Sequence, residues 1–404
     1  MLAIGSIAGT GVGSRAQAET TYTPSVSLSQ RYDSNVFYTA KEFVPPGRQS
    51  WDLVTTLGAA VKILNKSRLG DTEVRVGVNG SAYAYNSDLT YASTNVFAAS
   101  DLTDWMNELL PGLKLRISDA FQYTPEPPAF LTGGKAEQSD ILVRGIQAYR
   151  ANTFSNSLST DGNYSFSRSV GLRTNYTYAI FRVGRLYVTS AATAGPATFF
   201  DTTVHNVATG PTYTFDGGDT LFLKFNYLSA DTVDTVGLRP TITFTAQSIQ
   251  PEYVTTIVRG WTATISGGAT MIEQSGNRAF FSGRFSLRND FDRQTRGAIT
   301  VSRQPSPGYF GTGGALISNV AQLYLSYGFS RVVRLTVTGN YAYNETAPVK
   351  TFTIKTIAGS AVLDYNLTPS TRVSLSQEYT RFNYTGISPF DRYATMLTLT
   401  TEWN

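Results

Sequence analysis

Apolar and polar residues alternate along most of this chain with a period of two. Between residues 51 and 63 the odd positions read Trp, Leu, Thr, Leu, Ala, Val and Ile, whereas the even positions include Asp52 and Lys62. The final stretch, 393–404, shows the same alternation, with an aromatic residue near each end of one face. A β-strand turns successive side chains to opposite faces, so each such stretch predicts a strand with one apolar and one polar face.

The pattern recurs along nearly the whole chain. We count about 18 predicted strands, with about 16 as the alternative count, and most span roughly 10–14 residues, enough to cross a bilayer when tilted. Short connections, such as 66–71 and 216–219, alternate with longer ones, such as 37–50 and 125–151. This asymmetry is typical of periplasmic turns and extracellular loops, and it requires an even number of strands. The sequence therefore predicts an all-β fold: a single transmembrane antiparallel up-and-down β-barrel with both termini in the periplasm of a Gram-negative bacterium.

Composition excludes several other classes of protein. The 404 residues include no cysteine and one histidine, and only 15% are charged, with a formal net charge of +4. No uninterrupted apolar stretch is long enough for a transmembrane helix. The small net charge does not suggest a nucleic-acid partner, and the lack of cysteine removes disulfides, thiol catalysis and cysteine-based metal sites. We expect no cofactor and no metal.

The two ends of the chain carry further signals. Residues 1–18 are small and apolar and end in Ala-Gln-Ala, which predicts the remnant of a secretory signal peptide, with the barrel occupying 19–404. A basic segment before the apolar run is missing, as expected if translation starts further upstream. Trp105, Trp261 and Trp403 fall at predicted strand ends beside short connections. Tryptophan favours the membrane interface, so these three residues predict an anchoring belt on the periplasmic side.

The first predicted strand carries a motif. Residues 25–37 read Ser-Val-Ser-Leu-Ser-Gln-Arg-Tyr-Asp-Ser-Asn-Val-Phe, with Tyr32, Asp33 and Asn35 at the end of the strand. This segment resembles the β-barrel porin 2 family of outer-membrane proteins. The resemblance implies a role in the passage or assembly of exopolysaccharide, beside periplasmic polysaccharide-export proteins. Outer-membrane barrels usually end on an aromatic residue that the barrel assembly machinery reads, whereas here Asn404 follows the final tryptophan.

Asp33 and Asn35 also have a purely local interpretation. Short Asx side chains hydrogen-bond nearby backbone amides, so these two residues are expected to shape the exit from strand to loop. The alternative is a ligand role in the mouth of the barrel.

The polar faces of the strands predict the lining of the lumen. The inward cations on this assignment are Lys62, Arg75, Lys114, Arg116, Arg173, Lys224, Arg284 and Arg372. The inward anions are Asp52, Glu73, Asp161, Asp364 and Glu378. Such a wall favours water and mildly favours anionic solutes. Tyr83, Tyr85 and Tyr324 are candidate platforms for stacking sugars, or else they fill space. The long loop 125–150, with the apolar run 141–143, is the candidate plug.

Other candidate chemistry is weak. His205 is the single histidine, and no serine or carboxylate partner is adjacent to it, so a barrel hydrolase would depend on this residue alone. The run 132–135 lacks the first glycine of a phosphate-binding loop. The pairs Asp231/Asp234 and Asp290/Asp292 lack the ligand spacing of a calcium site.

The sequence thus predicts a non-enzymatic channel embedded in outer-membrane lipid. The leading hypothesis, implied by the family resemblance, is passage of secreted exopolysaccharide. A general diffusion porin for small hydrophilic solutes and a closed structural or adhesive barrel are the alternatives.

Overall fold

The computed structural model describes residues 19–68, 70–126, 150–186, 199–235, 240–258, 260–290, 294–308, 310–311 and 313–403. The predicted signal remnant, 1–18, lies outside them. The strands are β1 (Glu19–Asp33), β2 (Asp52–Ser67), β3 (Gly70–Tyr83), β4 (Tyr91–Asp101), β5 (Leu113–Thr124), β6 (Ala151–Ser165), β7 (Val170–Leu186), β8 (Phe200–Thr214), β9 (Thr220–Asp234), β10 (Ile242–Val258), β11 (Trp261–Glu273), β12 (Asn277–Asp290), β13 (Thr295–Pro307), β14 (Ala315–Gly328), β15 (Val333–Thr346), β16 (Thr353–Asn366), β17 (Thr371–Tyr384) and β18 (Ile387–Glu402). One α-helix, α1 (Thr103–Leu109), and two short 3-10 segments, Lys41–Phe43 and Ser87–Leu89, lie between strands.

The strands close into one barrel. Each strand pairs antiparallel with its neighbours in sequence, and β1 pairs with both β2 and β18 in an 18-stranded sheet. Leu28 on β1, for example, lies opposite Leu57 on one side and Leu399 on the other. The predicted antiparallel up-and-down barrel with 18 strands is confirmed, and the alternative count of 16 is wrong. Closure removes the free edges that an open sheet would expose.

The two ends of the barrel differ. We call the end with the short connections and both termini the turn side, and the opposite end the loop side. The outer face is apolar between them, with exposed side chains such as Leu28, Leu57, Ile249, Ile265, Leu323, Leu375 and Leu397. No helix in the described part of the chain is long and apolar enough to cross a membrane.

The three tryptophans of the predicted belt lie at the turn side. Trp261 begins β11, Trp403 directly follows β18, and Trp105 lies in α1, in the connection after β4. The sequence had placed Trp105 at the end of a strand, and this detail is wrong. The backbone N–H of Thr103 donates to the Asp101 carboxylate over 3.0 Å, which turns the chain into a helix just after β4.

The hairpin of β13 and β14 leaves the wall and bends into the barrel at the loop side. β12 and β13 stop pairing at Gly283 and Arg303. β13 and β14 stay paired as far as Pro307 and Ala315, and β14 stays paired with β15 as far as Leu316 and Thr346. The loop-side ends of these three strands therefore leave β12 together, and Ala315 and Ile317 join a buried cluster with residues of β8–β11. The loop-side interior is therefore occupied by chain.

The tip of this hairpin packs against strands on other parts of the wall. Phe310 forms an isolated β-bridge with Phe199, and the backbone N–H of Gly314 donates to Thr232 Oγ1 over 2.9 Å. Gly313 has a φ of +64°, and a Cβ there would lie 2.8 Å from the ring of Phe200. Glycine is needed at this position both for its backbone conformation and for the close approach.

An apolar core fills much of the loop-side half of the barrel. Twelve buried residues form this mouth core: Tyr38, Ala40, Ala151, Phe181, Phe199, Phe310, Leu316, Phe352, Ile354, Phe382, Tyr384 and Phe390. They come from the β1–β2 connection, the inward hairpin, and strands on separate parts of the wall. The mouth core therefore joins loops and wall across the lumen, and it resembles the interior of a soluble protein more than a water-filled pore.

Candidate functional site

The lumen on the turn side of the mouth core is lined by polar and charged side chains. Lys62 on β2 lies directly opposite Arg75 on β3, so both share the inward face. Glu73 contacts the Arg75 guanidinium and lies 3.9 Å from Lys62 Nζ. Two predicted inward cations thus share one carboxylate, and this part of the lining keeps a net positive charge.

Two further groups of predicted cations also lie inward near the turn side. Arg116 lies between Asp101 and Asp161 in the register of β4, β5 and β6, with Lys114 two residues nearer the turn. Arg372 lies across the barrel, where its Nε is 3.8 Å from the Asp364 carboxylate. In both places acidic and basic side chains are interspersed, so the lumen near the turn side is lined by charges of both signs.

The clearest concentration of positive charge is a recess in the wall formed by β7–β13. This basic pocket has a volume of about 400 Å³ and brings together Arg173, Lys224 and Arg284, three of the predicted cations. Lys224 Nζ pairs with Glu252 over 3.2 Å, and the Arg173 guanidinium lies 5.6 Å from the centre of the Phe222 ring. The surrounding lining is mostly Asn, Ser, Thr and Gln, which can hydrogen-bond a hydrated solute.

Arg303 also lines the basic pocket, and the sequence did not predict it. Arg303 lies two positions after Val301 on β13, so alternation assigns it to the outer face, where the Val301 side chain is exposed. Because the hairpin bends inward, this face of β13 turns toward the inside, and the Arg303 guanidinium lies 5.6 Å from the Phe280 ring. Alternation alone cannot locate such a residue, since it assumes that the strand stays in the wall.

The three candidate tyrosine platforms have different positions. Tyr324 faces inward and is half-buried. Tyr83 is inward but buried, and the Arg150 guanidinium covers its ring at 4.8 Å, so it fills space as the alternative interpretation had it. Tyr85 does not line the lumen. It is 53% exposed and contacts Trp51 on the outer face, with ring centres 4.6 Å apart.

The Asp52 carboxylate explains why Tyr85 faces outward. It accepts hydrogen bonds from the backbone N–H groups of Ala84, Tyr85 and Asn86, over 2.8–3.1 Å. This bonding ends the strand at Tyr83, and the alternation that predicted an inward Tyr85 no longer applies.

The motif residues at the end of β1 make local contacts and one long-range ion pair. The Asp33 carboxylate accepts from the Asn35 backbone N–H over 3.0 Å, and Asn35 Nδ2 donates to the Thr39 carbonyl over 2.7 Å. These contacts agree with the local interpretation of both residues. Asp33 also pairs with Arg392 on β18 over 2.6 Å, which ties the first strand to the last. Tyr32 lies on the outer face.

The long β5–β6 loop begins and ends inside the barrel. Glu126, just after β5, forms a bidentate pair with Arg31 on β1, one contact being 3.0 Å. Arg150, just before β6, is fully buried and lies between the rings of Tyr83 and Tyr91. The predicted plug segment itself, including residues 141–143, lies outside the described residues. The Arg31–Glu126 pair is hereafter the loop latch.

The loop latch is expected to resist acidification. Burial opposes ionisation of Glu126, but Arg31 outweighs it and holds the pKa of this carboxyl well below its usual range. Because the pKa of Glu126 is lower in the folded than in the unfolded protein, the latch contributes its full stability at any pH above the unfolded value of about 4.3. This contribution is lost only as the pH falls below that value and through the folded-state pKa. We therefore expect the conductance of reconstituted protein to be unchanged between pH 7 and pH 5. A rise in that interval that occurs in the wild type and is absent from Glu126→Gln would show that the carboxylate titrates there, and it would contradict this expectation.

His205 faces away from the lumen. It lies opposite Tyr178 in the register of β7 and β8, and its Nδ1 is 2.9 Å from the Tyr176 hydroxyl. A lumenal hydrolase could not use it as a base. Within the described ranges, no group of three or more His, Asp or Glu side chains could hold a metal ion.

Comparisons with known proteins find similarity in structure only. No protein-family model and no curated protein matches the chain. OccK1 (OpdK) of Pseudomonas aeruginosa is 8% identical and has a TM-score of 0.48, covering 95% of this chain and 99% of its own. OccK9 (OpdG) of the same organism is 11% identical, with a TM-score of 0.46 over 95% of this chain and 98% of its own. The FrpB iron transporter of Neisseria meningitidis is 8% identical, with a TM-score of 0.44 over 90% of this chain and 63% of its own. Similarity at this level bears on the fold alone.

Proposed function

We propose that this protein is an outer-membrane diffusion channel for small hydrophilic solutes, with a modest preference for anions. The observation that carries the proposal is the basic pocket in a closed barrel whose outer face is apolar. An apolar exterior suits lipid, and a polar lining that is rich in Arg and Lys suits water and anionic solutes. The tryptophans at the turn side then mark the periplasmic interface, and both termini lie in the periplasm.

This proposal differs from the polysaccharide hypothesis that the family resemblance implied. A polymer needs an unbroken polar path that is wide enough for a chain of sugars. The mouth core fills much of the loop-side half, and Tyr83, a candidate sugar platform, is covered by Arg150. Export of exopolysaccharide finds no support here, and the general porin alternative fits better. Membership of the β-barrel porin 2 family remains a proposal that rests on the motif at residues 25–37.

The mouth core favours one second candidate, a closed structural barrel. Purified protein in a planar bilayer separates the two. The channel proposal requires stepwise ion conductance, and its absence from correctly folded protein would leave the closed barrel. Loss of surface polymer on gene deletion, with small-solute uptake intact, would instead revive the polysaccharide route.

The preference for anions is expected to depend on the basic pocket. Replacing both Arg173 and Arg284 by glutamine removes two charges from its lining while keeping polar side chains of similar length. We expect the anion-to-cation permeability ratio, measured from the reversal potential in a salt gradient, to fall roughly twofold. Arg68→Gln removes a charge from a turn outside the lumen, where Arg68 pairs with Glu108, and should leave the ratio unchanged. An equal effect of both changes would contradict a role for the pocket.

A further inference from the structure

The outer face of the barrel carries a charged side chain at mid-strand within its apolar surface, on β5. Asp119 on β5 lies opposite Ala98 on β4 and Leu158 on β6, and Leu158 is an exposed apolar residue of the outer face. The neighbours of Asp119 on the same face of β5 are Ile117 and Phe121. A carboxylate is thus surrounded on four sides by apolar, outward-facing side chains near the middle of the strand.

Three further polar groups lie on the same face nearby. Asn156 Nδ2 donates to Asp119 Oδ1 over 2.9 Å, and the Tyr176 hydroxyl bonds His205 Nδ1 over 2.9 Å. These groups lie on four adjacent strands at similar positions along them. The register shows this, because Asp119, Leu158, Tyr178 and His205 follow one another across β5, β6, β7 and β8. We call Asp119, Asn156, Tyr176 and His205 the outer polar sector.

The opposite wall has no charged counterpart among its described outward-facing residues at mid-strand, and its polar pair there, Thr395 and Gln377, is hydrogen-bonded internally over 2.6 Å. There the outer face presents side chains such as Ile299, Leu323, Leu325, Leu363, Leu375 and Leu397. The charged pair Arg381–Asp391 on β17 and β18 lies at the loop-side end of those strands, away from the middle of the wall.

Lipid is a poor cover for the outer polar sector. Acyl chains offer no hydrogen-bond donor to the free lone pairs of a carboxylate, and charged side chains on the lipid face of a barrel are most unfavourable at mid-membrane depth. A carboxylate accepts about four hydrogen bonds, so the single one from Asn156 leaves most of the acceptor capacity of Asp119 unfilled by that side chain. A protein surface at the same depth can supply the missing donors.

We propose that the outer polar sector is the interface with a second copy of this chain. The sector has an acceptor, Asp119, at one edge and an imidazole, His205, at the other, three strand spacings or roughly 14 Å away. A twofold axis along the membrane normal brings the sector of one copy against the sector of the other, so that the carboxylate and the hydroxyl–imidazole pair of both copies share one interface. Every copy is inserted in the same direction and presents this face at the same depth, so the face is complementary to itself. The inference holds whether or not the barrel conducts.

Cross-linking tests the proposal directly, because the chain has no cysteine. Leu158→Cys places one thiol inside the outer polar sector, and Leu397→Cys places one at an exposed apolar position on β18 as the matched control. Membranes holding either variant are treated with a short bis-maleimide linker. We expect the Leu158→Cys dimer to exceed the Leu397→Cys dimer roughly tenfold. Equal yields, or a Leu158→Cys product joined only to a different protein, would overturn the proposal.

A second variant guards against misfolding and tests the chemistry. In the Leu158→Cys background, Asp119→Leu removes the carboxylate and suits lipid better. If the sector is an interface between copies, the dissociation constant of the dimer should rise roughly tenfold, equivalent to about 1.4 kcal/mol in the free energy of dissociation, and the cross-linked fraction should fall with it. Native mass spectrometry of the cysteine-free protein and of Asp119→Leu, both shown to be folded by their gel shift on heating, should show the same loss. An unchanged oligomeric state in Asp119→Leu would contradict the assignment.

Discussion

Replacing Arg392 by leucine is expected to lower the free energy of unfolding by about 3 kcal/mol, because it removes the closest ion partner of the buried Asp33 carboxylate and leaves only Arg31, whose Nε is 3.7 Å away. The Arg392 side chain is 9% exposed, that of Asp33 is 1% exposed, and the two lie 2.6 Å apart across the junction of β18 and β1. Arg392 also contacts Glu378 over 3.4 Å and lies 4.8 Å from the Tyr38 ring. One side chain thus joins the closing seam of the barrel to the β1–β2 connection.

The same substitution at a neighbouring exposed arginine provides the control. Arg381 is 52% exposed and lies 3.9 Å from Asp391 near the same end of the barrel. Exposed pairs contribute only about 0–1 kcal/mol, so Arg381→Leu should have a small effect. Both free energies can be measured by urea unfolding in lipid vesicles, followed by tryptophan fluorescence. Similar losses in the two variants would mean that the buried pair does not stabilise the seam.

A double variant separates the ion pair from the loss of packing. If the loss of the Arg392–Asp33 ion pair causes most of the destabilisation in Arg392→Leu, then Asp33→Asn in that background should restore part of the stability, since it removes the buried charge. A further loss in the double variant would instead assign the effect to the packing of the arginine stem.

The wall of the barrel could be predicted from the sequence, because strand alternation is a local property. Each residue on the outer face is followed by one that faces the lumen, so parity assigned inward positions to Lys62, Arg75, Arg173 and Lys224 without any tertiary information. The alternation of short and long connections then required an even number of strands and the antiparallel order. These features repeat at every strand, so an error at one strand does not spread to the others.

Alternation assigned residues to the wrong face where a strand ended early or left the wall. Tyr85 had the correct parity but follows a strand that the Asp52 carboxylate ends. Arg303 had the wrong parity and reaches the lumen because its hairpin bends inward. In both cases the outcome depends on contacts between segments far apart in sequence, which a period-two pattern does not record.

The mouth core could not be predicted for the same reason. Its members come from connections and strand ends, where single aromatic residues such as Phe199 and Phe310 give no periodic signal. Only the fold brings them together. The sequence predicted one long loop as the candidate plug, and the structure adds a second element, the β13–β14 hairpin. Glycines at its tip allow close approach to β8, and a backbone N–H of the tip donates a hydrogen bond to β9.

The mouth core is expected to limit conduction, and Phe310→Asp should release that limit. Phe310 is fully buried, with its ring centre 5.2 Å from that of Phe199 and 5.4 Å from that of Tyr384. A carboxylate in this apolar setting cannot be paired, so the hairpin tip should leave the core and take the charge to water. A barrel with 18 strands is wide enough for an aqueous channel once its interior is clear, so single-channel conductance should rise roughly twofold or more.

The matched control makes the same chemical change outside the lumen. Phe329 lies just beyond β14 at the turn side and is exposed, so Phe329→Asp should leave conductance at the wild-type value. Because β13 and β14 stay paired below the tip, Phe310→Asp should retain the barrel and its gel shift on heating. A folded Phe310→Asp channel with wild-type conductance would mean that solutes pass beside the mouth core. The narrowest point would then have to be sought along the loop latch, where Glu126→Gln should open the channel and Phe310→Asp should not.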